Sequence, residues 1–139
     1  LQSDLAEIGI QAEIRVIEWG EVIRRAKAGE HDLLFMGWAG DNGDPDNFLT
    51  PQFSCAAVKS GTNFARYCNA DLDKLISAGK TTGEQGVRTK LYEQAQAQIQ
   101  QQALWIPLAH PTAFALTRKN VEGYSVSPFG RQDYSKVKL

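Results

Sequence analysis

The chain is poor in residues that do chemistry on their own. Its 139 residues include two histidines, two cysteines and one methionine. Neither His31 nor His110 stands in a serine or cysteine nucleophile motif, and no histidine spacing suits zinc. No glycine-rich phosphate loop occurs either. Charge of one sign is also lacking: 15 basic residues face 16 acidic ones, a net charge of −1. That balance excludes the basic face a nucleic-acid partner requires. No apolar run approaches the roughly 18 residues of a membrane span. The chain opens without methionine on Leu1-Gln-Ser-Asp-Leu-Ala-Glu-Ile8, which has the pattern of a helix already under way. It therefore reads as a fragment or processed piece, whose missing signal segment says nothing about location.

What is present is periodic. Leu1, Leu5 and Ile8 share one helical face, with Gly9 where a C-terminal glycine belongs. Gln11 to Trp19 alternates and predicts a strand, Glu21 to Ala28 returns to helical spacing, and Gly29 ends it. Asp32 to Trp38 is a nearly continuous apolar run that predicts a covered strand. Two strands joined by a helix suggest a βαβ crossover with parallel neighbours, placing Trp19 and Trp38 at one sheet edge. Pro51 to Asn69 reads as irregular. Asp71 to Ala78 predicts a short helix capped by Asn69 or Asp71. Glu84 to Gln102 predicts the longest helix, with Val87, Leu91, Ala95 and Ile99 as its buried stripe. Trp105 to Leu108 and Ala113 to Thr117 predict strands bent by Pro107 and Pro111. The tail from Lys119 is polar, with little helical signal.

The most informative stretch is Gly37-Trp-Ala-Gly-Asp-Asn-Gly-Asp-Pro-Asp-Asn-Phe48, three glycines and three carboxylates beyond a strand end. Gly37 and Gly40 permit close approach of backbone to a ligand. Asp44 before Pro45 is a helix-start signature, with Asp44 as N-cap and Asp46 in a first turn where the dipole favours an anion. Asp41 has no such structural task beyond an Asx turn, and ligands of open α/β folds lie beyond strand carboxyl ends. An acid beside the indoles of Trp38 and Trp19 suits a ligand with a positive amine and an apolar body. A calcium loop fails, because Asn47 and Phe53 stand where that pattern needs Gly and Glu; no metal site is expected. A hydrolase built on paired carboxylates would need a second acid at a defined separation.

Cys55 and Cys68 lie 13 residues apart, a spacing suited neither to zinc nor to a redox motif. They either pair or stand as two thiols. Pairing would add roughly 3 kcal/mol by restricting the unfolded chain and would imply an oxidising compartment.

The loop just quoted, followed by Phe53-Ser-Cys-Ala-Ala57 and Cys68, closely resembles the peptide/nickel branch, family 5, of the ABC-transporter solute-binding proteins. Glu18-Trp-Gly-Glu21, Arg25-Ala-Lys-Ala-Gly-Glu-His-Asp32, Leu91-Tyr-Glu-Gln-Ala-Gln96 and Ile106-Pro-Leu-Ala-His110 fit as well. The resemblance implies an α/β fold: part of a two-lobed, type II periplasmic-binding clamshell with a mixed sheet flanked by helices. Residues 1–112 would be the C-terminal part of the second lobe, and residues 113–139 a tail returning toward the first, crossing near Pro111 to Arg118. It implies a periplasmic receptor, not an enzyme, that captures dipeptides or short peptides without a cofactor and delivers them to an inner-membrane permease. Other cargoes on the same fold are haem, aminolevulinate, nickel chelates and longer peptides. Asp41 maps onto the acid that meets the peptide α-ammonium, and Trp38 and Trp19 onto aromatics lining the cleft. Cys55 and Cys68 map onto a disulfide. The arginine that meets the peptide carboxylate has no counterpart here, nor does the first lobe.

Overall fold

A computed structural model describes residues 1–129 and 131–138 of the chain. It divides into two compact units, Leu1–Leu34 and Phe35–Leu139. The first holds α1 (Gln2–Glu7) and α2 (Trp19–Ala28). Gly9 and Gly29 close these helices in left-handed conformations, as their positions in the sequence predict. Helix α2 starts two residues earlier than the periodicity suggests. The Glu18 side chain accepts the Glu21 N–H at 3.1 Å and caps the helix. Trp19 is therefore the first residue of a helix and not the end of a strand, and it is 61% exposed.

The second unit is a helical cluster: α3 (Asp46–Phe53), α4 (Cys55–Ser60), α5 (Ala70–Thr81) and α6 (Gln85–Gln101). Asn69 accepts from the Asp71 and Leu72 N–H groups to start α5, and Glu84 accepts from Gly86 and Val87 to start α6. Leu49, Phe53, Leu72, Ile76, Tyr92, Ala95 and Ile99 form the core, with the Trp105 ring edge-on to Phe53 at 5.3 Å. The buried stripe of α6 is rotated from the predicted one. Tyr92 replaces Leu91 in it, and Val87 is 49% exposed. The region from Pro51 is less irregular than expected. Helix α3 runs through Pro51 to Phe53, and Ser54 caps α4 by accepting the Ala57 N–H at 3.2 Å. Asp73, in the first turn of α5, accepts the Cys55 N–H at 2.7 Å and ties α4 to α5.

The four predicted strands do not form ladders. Among the described residues the sole bridge joins Glu122 to Lys138, so neither the sheet nor the crossover drawn from it appears. The physical reason is that a helix bonds its own backbone whereas a strand needs a partner chain. The apolar side chains of these segments are correspondingly uncovered: Val16 is 91% exposed, Phe35 80%, Phe114 90% and Leu116 102%.

Candidate ligand-binding site

Residues of the second unit hold the loop between Phe35 and α3. Asp44 lies one residue further from the helix than an N-cap, because α3 starts at Asp46 with Pro45 before it. Its carboxylate nonetheless accepts the Asp46 N–H at 2.8 Å, the cap-like role its sequence context predicts. It has a second task that no local pattern reveals. Arg88 on α6 donates to the same carboxylate oxygen from Nη2 at 2.6 Å. The Arg88 hydrogen bond, then the Asp46 N–H, hold the Asp44 carboxyl below the usual carboxylate range. Arg88 also donates from Nε to the Gly79 carbonyl at 2.8 Å and from Nη2 to the Tyr92 hydroxyl at 3.2 Å. Burial pushes the Tyr92 phenol up, and Arg88 works against that rise. Asp46 accepts a hydrogen bond from the Thr50 hydroxyl and lies 3.9 Å from the Lys80 ammonium. Asp44 and Asp46 thus have structural work.

Asp41 is different. It is exposed, and its backbone N–H donates to Asn47 Oδ1 at 2.9 Å. Among the described residues no hydrogen bond or ion pair to its carboxylate is seen. Trp38, three residues earlier, is half-buried and donates from Nε1 to the Asn47 carbonyl at 2.9 Å. Gly40 allows the loop to fold onto α3: a Cβ there would lie 2.6 Å from the Phe48 ring. Phe129, from the tail, lies against Gly43, where an added Cβ would come within 2.9 Å of its ring. The structure therefore assembles Trp38, Gly40 and Asp41 around Asn47 and Phe48, with Gly37 at the exposed entry to the loop. Trp19 lies in the other unit. Sequence reasoning missed Asn47, Arg88 and Phe129. Pro51 inside α3 was the signal for Asn47, as shown below; Arg88 lies 44 residues from Asp44 and left none.

Cys55 and Cys68 form a disulfide. Asn63 works in parallel with it, donating from Nδ2 to the Ser54 carbonyl at 3.1 Å and the Tyr67 carbonyl at 2.8 Å. A concavity of about 570 Å³ lies between α5 and α6, beside Leu75, Ala78 and Gln98, and none of its lining residues belongs to the loop.

Residues 1–60 match the family described as bacterial extracellular solute-binding proteins, family 5 Middle. The chain is 76% identical over 137 residues to the probable di/tripeptide-binding protein 5 of Pseudomonas aeruginosa, covering 99% of this chain and 26% of that protein. A dipeptide-binding protein from Pseudoalteromonas, solved with Met-Leu, superposes with a TM-score of 0.91 at 37% identity, over 99% of this chain and 27% of that one. An ABC transporter-associated periplasmic binding protein from Helicobacter pylori, solved with the peptide STSA, gives 0.90 at 35% identity over 99% and 27%. The chain is thus similar, over residues 1–60, to the family 5 extracellular solute-binding proteins, and over nearly its whole length to part of a di/tripeptide-binding relative. It spans about a quarter of the length of these relatives.

Proposed function

We propose that this chain supplies the ammonium-binding half of a peptide site in an extracytoplasmic receptor that feeds an ABC permease. The observation that carries this reading is the division of the loop acids. Asp44 and Asp46 are occupied by Arg88, Thr50 and Lys80, and Asp41 presents an exposed carboxylate three residues from a braced indole. That pairing suits the α-ammonium of a dipeptide or short peptide, with its first side chain against Trp38. Backbone groups of Gly37 and Gly40 add hydrogen bonds. The names of the relatives just given support a peptide cargo.

In this reading residues 1–112 belong to the second lobe and residues 113–139 return toward a first lobe, which supplies the group that meets the peptide carboxylate. The mixed sheet forms in the whole protein, with the apolar segments around Val16, Phe35 and Leu116 covered by strands from elsewhere in it. Hinge closure of two lobes, with no chemistry on the ligand, captures the peptide in the periplasm.

In the full-length receptor Asp41→Ala weakens dipeptide binding about tenfold or more, as expected for loss of a charge-assisted hydrogen bond. An unchanged affinity by calorimetry removes Asp41 from the site. Mass analysis of ligand carried through purification distinguishes a peptide from haem, a nickel chelate or another cargo. The 139 residues alone, with one end of a zwitterion unmatched, show no micromolar affinity; a micromolar dissociation constant measured on them would refute the half-site.

A further inference from the structure

We propose that Asn47, with Pro51 behind it, is the positioning residue that sets the spacing between the aromatic and the acid of the loop; the inference rests on the reading of Asp41 as the ammonium partner. Asn47, the second residue of α3, grips both arms of the loop. Its side-chain Oδ1 accepts the Asp41 N–H at 2.9 Å, and its backbone carbonyl accepts Trp38 Nε1–H at 2.9 Å.

The second bond has a cause in the sequence. A carbonyl in an α-helix is taken by the N–H four residues on. For Asn47 that residue is Pro51, which has no N–H to give. The proline leaves one carbonyl of α3 without its helical donor, and the Trp38 indole takes the place. The proline is thus what makes a docking point for the aromatic, and one residue carries both attachments. Helix α3 is held in turn. Asp44, just before it, is fastened by Arg88 to α6, and Leu49 and Phe53 are in the core. The distance from Trp38 to Asp41 is consequently a property of α3 and not of the glycine-rich loop, whose own backbone is permissive. Such fixed spacing selects ligands in which a primary amine adjoins an apolar group, and it disfavours those whose amine is capped or displaced.

The test is a double-mutant cycle on the full-length receptor, with calorimetry against the dipeptide Ala-Phe and its N-acetyl form. Asn47→Ala is expected to weaken Ala-Phe binding about fivefold and to narrow the preference for the free amine. Asn47→Asp, which keeps an Oδ acceptor, returns the affinity to within about twofold. The Asp41→Ala/Asn47→Ala double variant binds no more weakly than Asp41→Ala alone. If Asn47→Ala does not fold, Asn47→Ser, too short to reach the Asp41 N–H, serves in its place. Full affinity in Asn47→Ala alongside a weakened Asp41→Ala overturns the role of Asn47 and leaves the ammonium site standing. So do losses that add in the double variant. Full affinity in Asp41→Ala overturns the ammonium site itself, and the role of Asn47 with it.

Discussion

The helices packed around Leu72 and Tyr92 and the apolar stretches around Val16 and Leu116 carry comparable hydrophobic side chains and have opposite fates. Leu72 is 1% exposed and Leu116 is 102% exposed. The first group sits on elements whose backbone bonds are internal, so α3, α5 and α6 need only each other to bury their faces. The second sits on segments whose N–H and C=O groups need a neighbouring strand. Hydrophobicity alone does not decide burial; what decides it is whether the backbone beneath can be satisfied by the chain at hand.

The sharpest way to break that contrast is a pair of truncations. Leu72→Ala should cost this chain about 3 kcal/mol, the ordinary penalty for a filled core site, whereas Leu116→Ala should move it by less than about 0.5 kcal/mol. Denaturant unfolding measures both. In the full-length protein Leu116→Ala should cost about 2 kcal/mol or more if a strand covers it there; an equally small effect in both would show the residue to be exposed for good. Next in size is the disulfide. Replacing Cys55 and Cys68 by serine should cost about 2–3 kcal/mol. Asn63 bridges the same loop and should hold its shape in the reduced protein, seen as unchanged far-ultraviolet dichroism below the lowered melting transition.

The smallest effect is electrostatic. The carboxyl of Asp44 titrates lower in the folded chain than in the unfolded one, chiefly because of Arg88. Its contribution is therefore complete above the ordinary carboxylate pKa, about pH 4, and is lost as the pH falls through the lower folded value. Asp44→Asn should flatten the acid limb of the stability profile and leave the neutral region little changed beyond the loss of one partly exposed pair. A profile parallel to that of the unaltered chain would mean that the pair with Arg88 does not form in solution.

These regions also differ in how far they could be read from the sequence. Helix ends are local events, and Gly29, Asn69 and Glu84 mark them within a residue or two. The start of α2 was legible too, in the three-residue spacing of Glu18 and Glu21, although the alternation before Trp19 pointed to a strand. The predicted strands form no ladder among the described residues, because a ladder is a relation between distant segments. In the loop, the separation of Asp41 from Asp44 and Asp46 followed from Pro45 alone. The grip of Asn47 on Trp38 did not, since it required noticing which carbonyl Pro51 abandons.

Gly79 shows how a lesion can be misread. A Cβ added there would lie 2.5 Å from the Tyr92 ring, so α5 and α6 touch at a point with no room to spare. The carbonyl of the same residue receives Arg88 Nε. Gly79→Ala would wedge the two helices apart, carry Arg88 with α6 and slacken its hold on Asp44. If the proposed role of the loop holds, a screen for lost peptide binding would recover such a variant beside those in the loop itself, although Gly79 lies outside it. The contact between two helices is in this sense a remote adjustment screw for the site.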